Sequence, residues 1–196
     1  MVKNDKSLIE AHLKGDTTAF GELVRRYGDS LLGYLTTMTG SIELAEDLFQ
    51  ETFKRVHEKA GTFRGSRIKS WLFAIATNAA IDGFRRNSRL QVTSLNQRLD
   101  CAEEEGRELS AVAVADNSHE PSQKAIMAER KEQVRQALEL LPAKQRATLV
   151  LAYYQQLSYP EVAQVLGCSI GTVKTQMYRA LKTLAQRLPD ISEDMG

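Results

Sequence analysis

Cysteine is nearly missing from this chain. Cys101 and Cys168 are the only two, far apart and outside any CxxC or CxxH spacing. That arrangement argues against a zinc site and against a disulfide framework. The three histidines, His12, His57 and His119, stand isolated in the sequence, and there is no glycine-rich phosphate loop. With so poor a site inventory, neither an enzyme nor a cofactor is expected. No apolar run approaches the length of a membrane-spanning helix. The opening MVKNDKSLIEAHLKGD has no apolar core long enough for a signal peptide, so a cytoplasmic protein without membrane insertion is expected. Strand signals are scarce as well, and helix punctuation is frequent. The fold class expected is all-α.

Charge is present but unevenly placed. The formal net charge is only +1. Residues 1–98 carry a net +4, residues 99–128 a net −5 and residues 129–196 a net +2. Two neutral-to-basic lobes thus flank an acidic middle. Between Lys54 and Arg98 there are ten basic residues and only two acids, Glu58 and Asp82. Such an imbalance around Phe63, Trp71 and Phe73 suits a nucleic-acid surface. A merely solvated basic face would look the same by charge alone.

The most informative stretch is LSYPEVAQVLGCSIGTVKTQMYRALKTL, residues 157–184. Ser158 with Glu161 three residues later makes a capping box, and Pro160 falls in the first turn. Gly167 supplies the break after a short apolar face. Ser169 caps a second helix, in which Val173, Met177, Leu181 and Leu184 predict a buried stripe. Its other face carries Thr172, Lys174, Thr175, Gln176, Tyr178, Arg179 and Lys182, with no acid among them. A short capped helix, a glycine turn and a longer helix with a basic, hydrogen-bonding face describe a helix-turn-helix, whose second helix would enter the major groove. An ordinary helical hairpin is the plainer alternative.

The rest of the chain reads as helices. Residues 6–14 predict a short one with Leu8, Ile9 and Leu13 inward. Two more follow over 17–27 and 30–38, stopped at Gly40. Ser41 caps a longer helix over 42–59, with Leu44, Leu48, Phe49, Thr52, Phe53 and Val56 inward and Glu46, Asp47, Gln50, Glu51 and Lys54 outward. Residues 61–66 form a loop. A helix over 68–86 buries Ile68, Trp71, Leu72, Ile75, Ala76 and Ala79, and shows Asn78, Asp82, Arg85, Arg86 and Arg89. From 91 to about 123 the periodicity fades into a polar, acidic linker. Order returns over 125–141, with Ile126, Val134, Leu138 and Leu141 inward. Residues 143–155 follow, with Ala147, Val150, Leu151 and Tyr154 as candidate core.

The run LPAKQRATLVLAYYQQLSYPEVAQVLGCSIGTVKTQMYRAL resembles the second DNA-binding domain of the bacterial extracytoplasmic-function (ECF, group IV) sigma factors. AEDLFQETF and FRGSRIKSWLFAIATNAAIDGFRR are similar to that family's first domain. The resemblance implies two small helical domains joined by a flexible acidic linker: a region 2-like domain over 5–90, a linker over 91–128 and a region 4-like domain over 129–188. It implies a protein that binds core RNA polymerase and directs transcription from promoters with minus-ten and minus-thirty-five elements. Asp47, Gln50 and Glu51 match the face that docks on the clamp helices of the largest polymerase subunit. Phe63, Arg64, Arg67, Lys69, Asn78, Asp82, Arg85 and Arg86 match the minus-ten reader, whose loop cradles a flipped base. Ser169, Thr172, Lys174, Thr175, Gln176, Arg179 and Lys182 match the minus-thirty-five reader. The partners implied are core polymerase, double-stranded promoter DNA and an anti-sigma factor, with a monomer when free.

The sequence departs from the family at two instructive points. Gln176 stands where Arg is common, and Gln pairs better with adenine than with guanine. Thr77 stands beside Asn78 in place of a common Arg, which implies one phosphate contact fewer. A free-standing helix-turn-helix regulator with an N-terminal signal domain is the competing reading. It would need no polymerase-docking face, so Asp47, Gln50 and Glu51 separate the two.

Overall fold

The computed structural model describes residues 4–65, 67–95 and 121–188, and within these only the backbone of 85–95 and 121–128. Eight α-helices follow in order: α1 (Asp5–Leu13), α2 (Thr17–Thr39), α3 (Ile42–Lys59), α4 (Ile68–Leu95), α5 (Pro121–Glu139), α6 (Ala143–Tyr153), α7 (Tyr159–Leu166) and α8 (Ile170–Arg187). Among the described residues there is no strand. The all-α expectation holds, with α1–α4 in one lobe and α5–α8 in the other.

Local chemistry sets the helix ends. Asn4 accepts from the Ser7 N–H at 2.8 Å, and Asp16 from those of Thr18 and Ala19 at 3.0 and 3.3 Å. Each side chain satisfies donors that the first helical turn leaves free. Gly40 ends α2 with φ +71° and Gly167 ends α7 with φ +60°, the left-handed conformation that an L side chain resists.

Several expectations need correction. The two helices expected over 17–27 and 30–38 are one continuous α2. Gly28 does not break it; it lies buried beneath the Phe49 ring, 3.6 Å from where a Cβ would stand. Leu13, expected inward, is exposed, and Leu8 and Ile9 are the buried side chains of α1. Leu44 is 45 % exposed, and Ala45 takes its place in the core. Tyr154 is exposed and Gln155 is buried instead. The outer ends assigned to the linker are helical, because α4 runs on to Leu95 and α5 begins at Pro121. Residues 96–120, with Cys101 and His119, lie outside the described residues. Nor are His12 and His57 isolated. His12 Nε2 lies 3.1 Å from His57 Nδ1, and that hydrogen bond ties α1 to α3. Burial first, then the nearby His57, pushes the His12 pKa down.

The core runs through both lobes. Leu31, Tyr34 and Leu35 of α2, Phe53 and Val56 of α3, and Leu72 and Phe73 of α4 are continuous with Val150 and Leu151 of α6 and Val162 of α7. Helix α4 explains the continuity. From Leu72 to Ala80 it is buried all round except at Ala74 and Asn78. A helix apolar on every side must be covered on every side. Helices α2 and α3 cover one face, and α7 and α6 the other.

Arg146 of α6 is a charged group in this junction, only 8 % exposed. Its guanidinium donates to the carbonyls of Met38, Glu139 and Leu141 and lies over the Phe84 ring. It thus caps the end of α2 from the other lobe. A cation at a helix C-terminus is favoured by the exposed carbonyl dipoles.

Tyr34 and Thr77 make a second buried polar contact. Their hydroxyl oxygens are 2.7 Å apart, and Thr77 Oγ1 donates to the Phe73 carbonyl at 2.6 Å. Thr77 has one proton, so Tyr34 must be the donor between the two. Burial pushes the Tyr34 phenol far above its ordinary pKa, which keeps that proton in place. Thr77→Val should therefore leave a buried donor unpaired and cost about 1–3 kcal/mol. Tyr34→Phe removes the donor itself and should cost less. Urea unfolding of both variants checks this order; equal losses would contradict the assignment.

Candidate nucleic-acid interface

Helix α8 is built as the helix-turn-helix pattern predicts. Glu161 accepts from the Ser158 backbone N–H at 2.9 Å and from its hydroxyl at 2.6 Å, closing the start of α7. These bonds, ahead of Arg67 and Lys69, hold the Glu161 carboxyl below its usual range. Ser169 accepts from the Thr172 N–H at 3.1 Å and starts α8. Its hydroxyl is therefore engaged at the cap, with the Thr172 hydroxyl 2.9 Å away. Cys168 in the turn is half-buried against the core.

The buried face of α8 differs from the predicted stripe. Val173, Met177, Ala180 and Leu184 face inward, whereas Leu181 is 52 % exposed. At about 100° per residue, a spacing of four, three and four keeps one narrow line that Leu181 leaves. The centre of the open face is then Thr175 and Lys182, flanked by Tyr178 and Arg179, all exposed. Thr172 and Lys174 are exposed on opposite flanks. Gln176, expected opposite the buried stripe, lies about 60° from Val173 and is half-buried. Its amide stands at the end of a three-torsion side chain and can still clear that shoulder. Thr175 Oγ1 donates back to the Gly171 carbonyl at 3.0 Å. No acid stands on this face.

The second group lies on α4 and the loop before it. Asn78 and Asp82 are exposed, one turn apart on the strip of α4 that neither lobe covers. Arg85 and Arg86 continue the same helix, but their side chains are outside the described residues. Phe63 is half-buried, its ring centroid 5.1 Å from that of Trp71. Phe73 is fully buried against Tyr34 and is not free to stack on a base. Thr77 is buried too, so the position read as a lost phosphate contact faces the core. Arg64 folds onto its own loop, with Nη1 donating to the Gly61 carbonyl at 2.9 Å. Arg67 and Lys69 point at the other lobe. Arg67 lies 4.0 Å from Glu161, and Lys69 Nζ donates to the Gln155 carbonyl at 2.7 Å.

A third face is on α3. Asp47 and Gln50 are exposed, while Glu51 is partly exposed and paired with Arg55 at 2.7 Å. Leu44, three residues before Asp47, completes an exposed ridge. Sequence reasoning assigned Leu44 to the core, and no signal short of the fold distinguishes it from Ala45. Among the described residues no group of three or more His, Cys, Asp or Glu could hold a metal ion. No helix among them is long and apolar enough to cross a membrane.

Residues 23–90 match the family model Sigma-70 region 2, and residues 131–184 match Sigma-70, region 4. The chain is 32 % identical over 187 residues to the ECF RNA polymerase sigma factor SigW of Bacillus subtilis, covering 95 % of this chain and 97 % of that one. It belongs to the ECF sigma factors. It is 35 % identical to BldN, an ECF sigma factor of Streptomyces coelicolor, over 93 % of this chain and 65 % of that protein. Two solved structures share the fold. CnrH in complex with the cytosolic domain of CnrY matches with TM-score 0.65 and 25 % identity, over 94 % of this chain and 97 % of that one. RpoE of Bartonella quintana, in complex with the anti-sigma factor NepR, matches with TM-score 0.65 and 25 % identity, over 87 % and 97 %. As a sigma factor, this chain is a non-enzymatic subunit that directs promoter-specific initiation by RNA polymerase.

For the recognition helix the expectation is specific. Gln176→Ala should cost about 1–3 kcal/mol on the preferred upstream element and relax one base pair, if the amide reads an adenine. Gln176→Arg should move preference at that pair toward guanine. Lys174→Ala should weaken every sequence alike if Lys174 holds a phosphate. A binding selection on randomised upstream elements reads all three. Unchanged preference in both Gln176 variants transfers the reading to Thr172, Thr175 and Arg179.

Proposed function

We propose a residue-level division of labour for this sigma factor. The lobe of α1–α4, residues 5–90, docks on the clamp helices of the largest polymerase subunit and reads the minus-ten element. Docking falls to Asp47, Gln50 and Glu51, with Leu44 beside them. The minus-ten element falls to Phe63, Arg64, Arg67, Lys69, Asn78, Asp82, Arg85 and Arg86. The lobe over 129–188 reads the minus-thirty-five element through Ser169, Thr172, Lys174, Thr175, Gln176, Arg179 and Lys182. The acidic segment between the lobes suits a path along a basic protein channel better than a path along DNA.

The observation that carries this reading is the outward face of α8. A helix started by a capped turn, anchored by Val173 and Ala180 and free of acids outside is shaped for a major groove. Helix α4 adds exposed Asn78, within a stretch from Leu72 to Ala80 that is otherwise buried save at Ala74, and exposed Asp82 one turn on. We assign an anti-sigma partner by likeness to RpoE, a cytoplasmic location and a monomeric free state.

Replacing Asp47, Gln50 and Glu51 together by Ala should weaken core polymerase binding at least about tenfold while the melting curve stays near wild type. Surface substitutions of this kind usually change stability by no more than about 0.5 kcal/mol. Pull-down with purified core polymerase makes the comparison. Wild-type capture by the triple variant would remove the docking role from α3.

A further inference from the structure

Two histidines meet where two helices end. His12 stands in the last turn of α1 and His57 in the last turn of α3. Their facing nitrogens, His12 Nε2 and His57 Nδ1, are 3.1 Å apart. Phe20 packs on both rings, its centroid 4.7 Å from that of His12 and 5.7 Å from that of His57. Phe53 meets Phe20 edge-on at 6.1 Å. His57 is exposed and His12 half-buried, so the pair has an aromatic wall and opens to water. Neither histidine belongs to the DNA-reading or docking groups above. His12 also precedes residue 23, where the match to Sigma-70 region 2 begins.

We propose that His12 and His57 chelate a divalent transition-metal ion of the imidazole-binding kind, zinc, nickel or copper, with water completing its coordination. The spacing fits one ion. Held by both nitrogens at about 2.05 Å, with the nitrogens 3.1 Å apart, it subtends an angle of about 98°. That lies between the about 90° of square-planar and the about 109° of tetrahedral coordination. Two imidazoles on such an ion have centroids about 4.8 Å apart, against about 5.4 Å for nitrogens aimed straight at each other; here the separation is 5.0 Å. The carbonyl dipoles at a helix C-terminus favour a cation, and two such ends converge on this pair. Lys14 and Lys59, the nearest cations in sequence, are exposed on flexible stems and can turn away.

The ion takes the place of the proton shared between the rings. Each neutral ring then keeps its own proton on the far nitrogen, His12 Nδ1 and His57 Nε2, and none is released. Burial first, then the nearby His57, pushes the His12 pKa down, which keeps that ring neutral and able to bind. Two protein ligands are half those of a structural zinc site, so the dissociation constant should be roughly 1–100 μM and the ion exchangeable. The ion would brace α1. The start of that helix is tied to α2, where Asp5 accepts from Arg26 at 2.5 Å and from the Tyr27 hydroxyl at 2.6 Å. The His12–His57 site would fasten its other end to α3.

The test titrates zinc, nickel and copper chlorides separately into the full chain by calorimetry. One ion per chain should bind in the range given. His12→Gln and His57→Gln each leave a single imidazole and should weaken binding at least about tenfold, because chelation is lost. A control chain carrying Cys101→Ser, Cys168→Ser and His119→Asn, which removes the two thiols and the third imidazole, should bind as wild type. Electron paramagnetic resonance of the copper complex counts ligands without relying on any variant. It should show hyperfine coupling to two nitrogens in the wild type and to one in each single variant. Saturating zinc should also slow amide exchange along α1. Wild-type binding weaker than about 1 mM would overturn the site. So would affinity unmoved in both histidine variants, affinity lost in the control chain, or coupling to a single nitrogen in the wild type. Exchange along α1 unmoved by saturating zinc would overturn the bracing.

Discussion

Everything in this fold depends on the middle of α4 having no wet side to speak of. The run WLFAIATNAAI offers one polar side chain, Asn78, that reaches solvent. The one hydroxyl in this run, that of Thr77, is consumed inside by Tyr34 and the Phe73 carbonyl. Burial of such a helix is stabilising at roughly 25 cal/mol per Å² of apolar surface. One neighbouring layer cannot cover it. Helices α2 and α3 take one side, and the other lobe takes the rest. The helix that presents Asn78 and Asp82 is therefore also the seam of the molecule.

Arg146 shows how a charge is accommodated in that seam. A lone buried guanidinium would be costly, and this one is held by three carbonyls at helix ends and an aromatic face. Its Nε has no partner among the described atoms, so the site is well but not fully satisfied. Burial outweighs the pull of Glu139 and draws its pKa down from the ordinary arginine value. The arrangement favours one register of the lobes over others, since only there do the carbonyls of Met38, Glu139 and Leu141 converge.

Much of this was legible in the sequence, for physical reasons that can be named. The start of α7 was readable because Ser158 and Glu161 bond each other three residues apart. Its end was readable because Gly167 alone tolerates the left-handed turn. The family resemblance rested on motifs that the fold brings into two lobes in the same order. What failed was whatever depends on a distant partner. The pattern splits 17–27 from 30–38 around Gly28, which the fold instead buries against Phe49 inside one helix. Leu44 and Ala45, Leu181 and Ala180, and Tyr154 and Gln155 are neighbouring pairs in which periodicity chose the larger apolar residue and the structure buried the other. Arg146 raises no expectation from the sequence, because its three acceptors are backbone carbonyls, which no side-chain pattern reports. The pairing of His12 with His57 spans two helices and leaves no local trace.

On this reading one chain carries two separate readers and gives polymerase a start site defined by both. The direct measurement is sequencing of transcript 5′ ends made in vitro by core polymerase and this protein on fragmented genomic DNA. Start sites should share two elements at a fixed separation. Arg179→Ala should blur the upstream element only, and Asn78→Ala the downstream element only. Start sites that share a single element, or that scatter as they do with core polymerase alone, would contradict it.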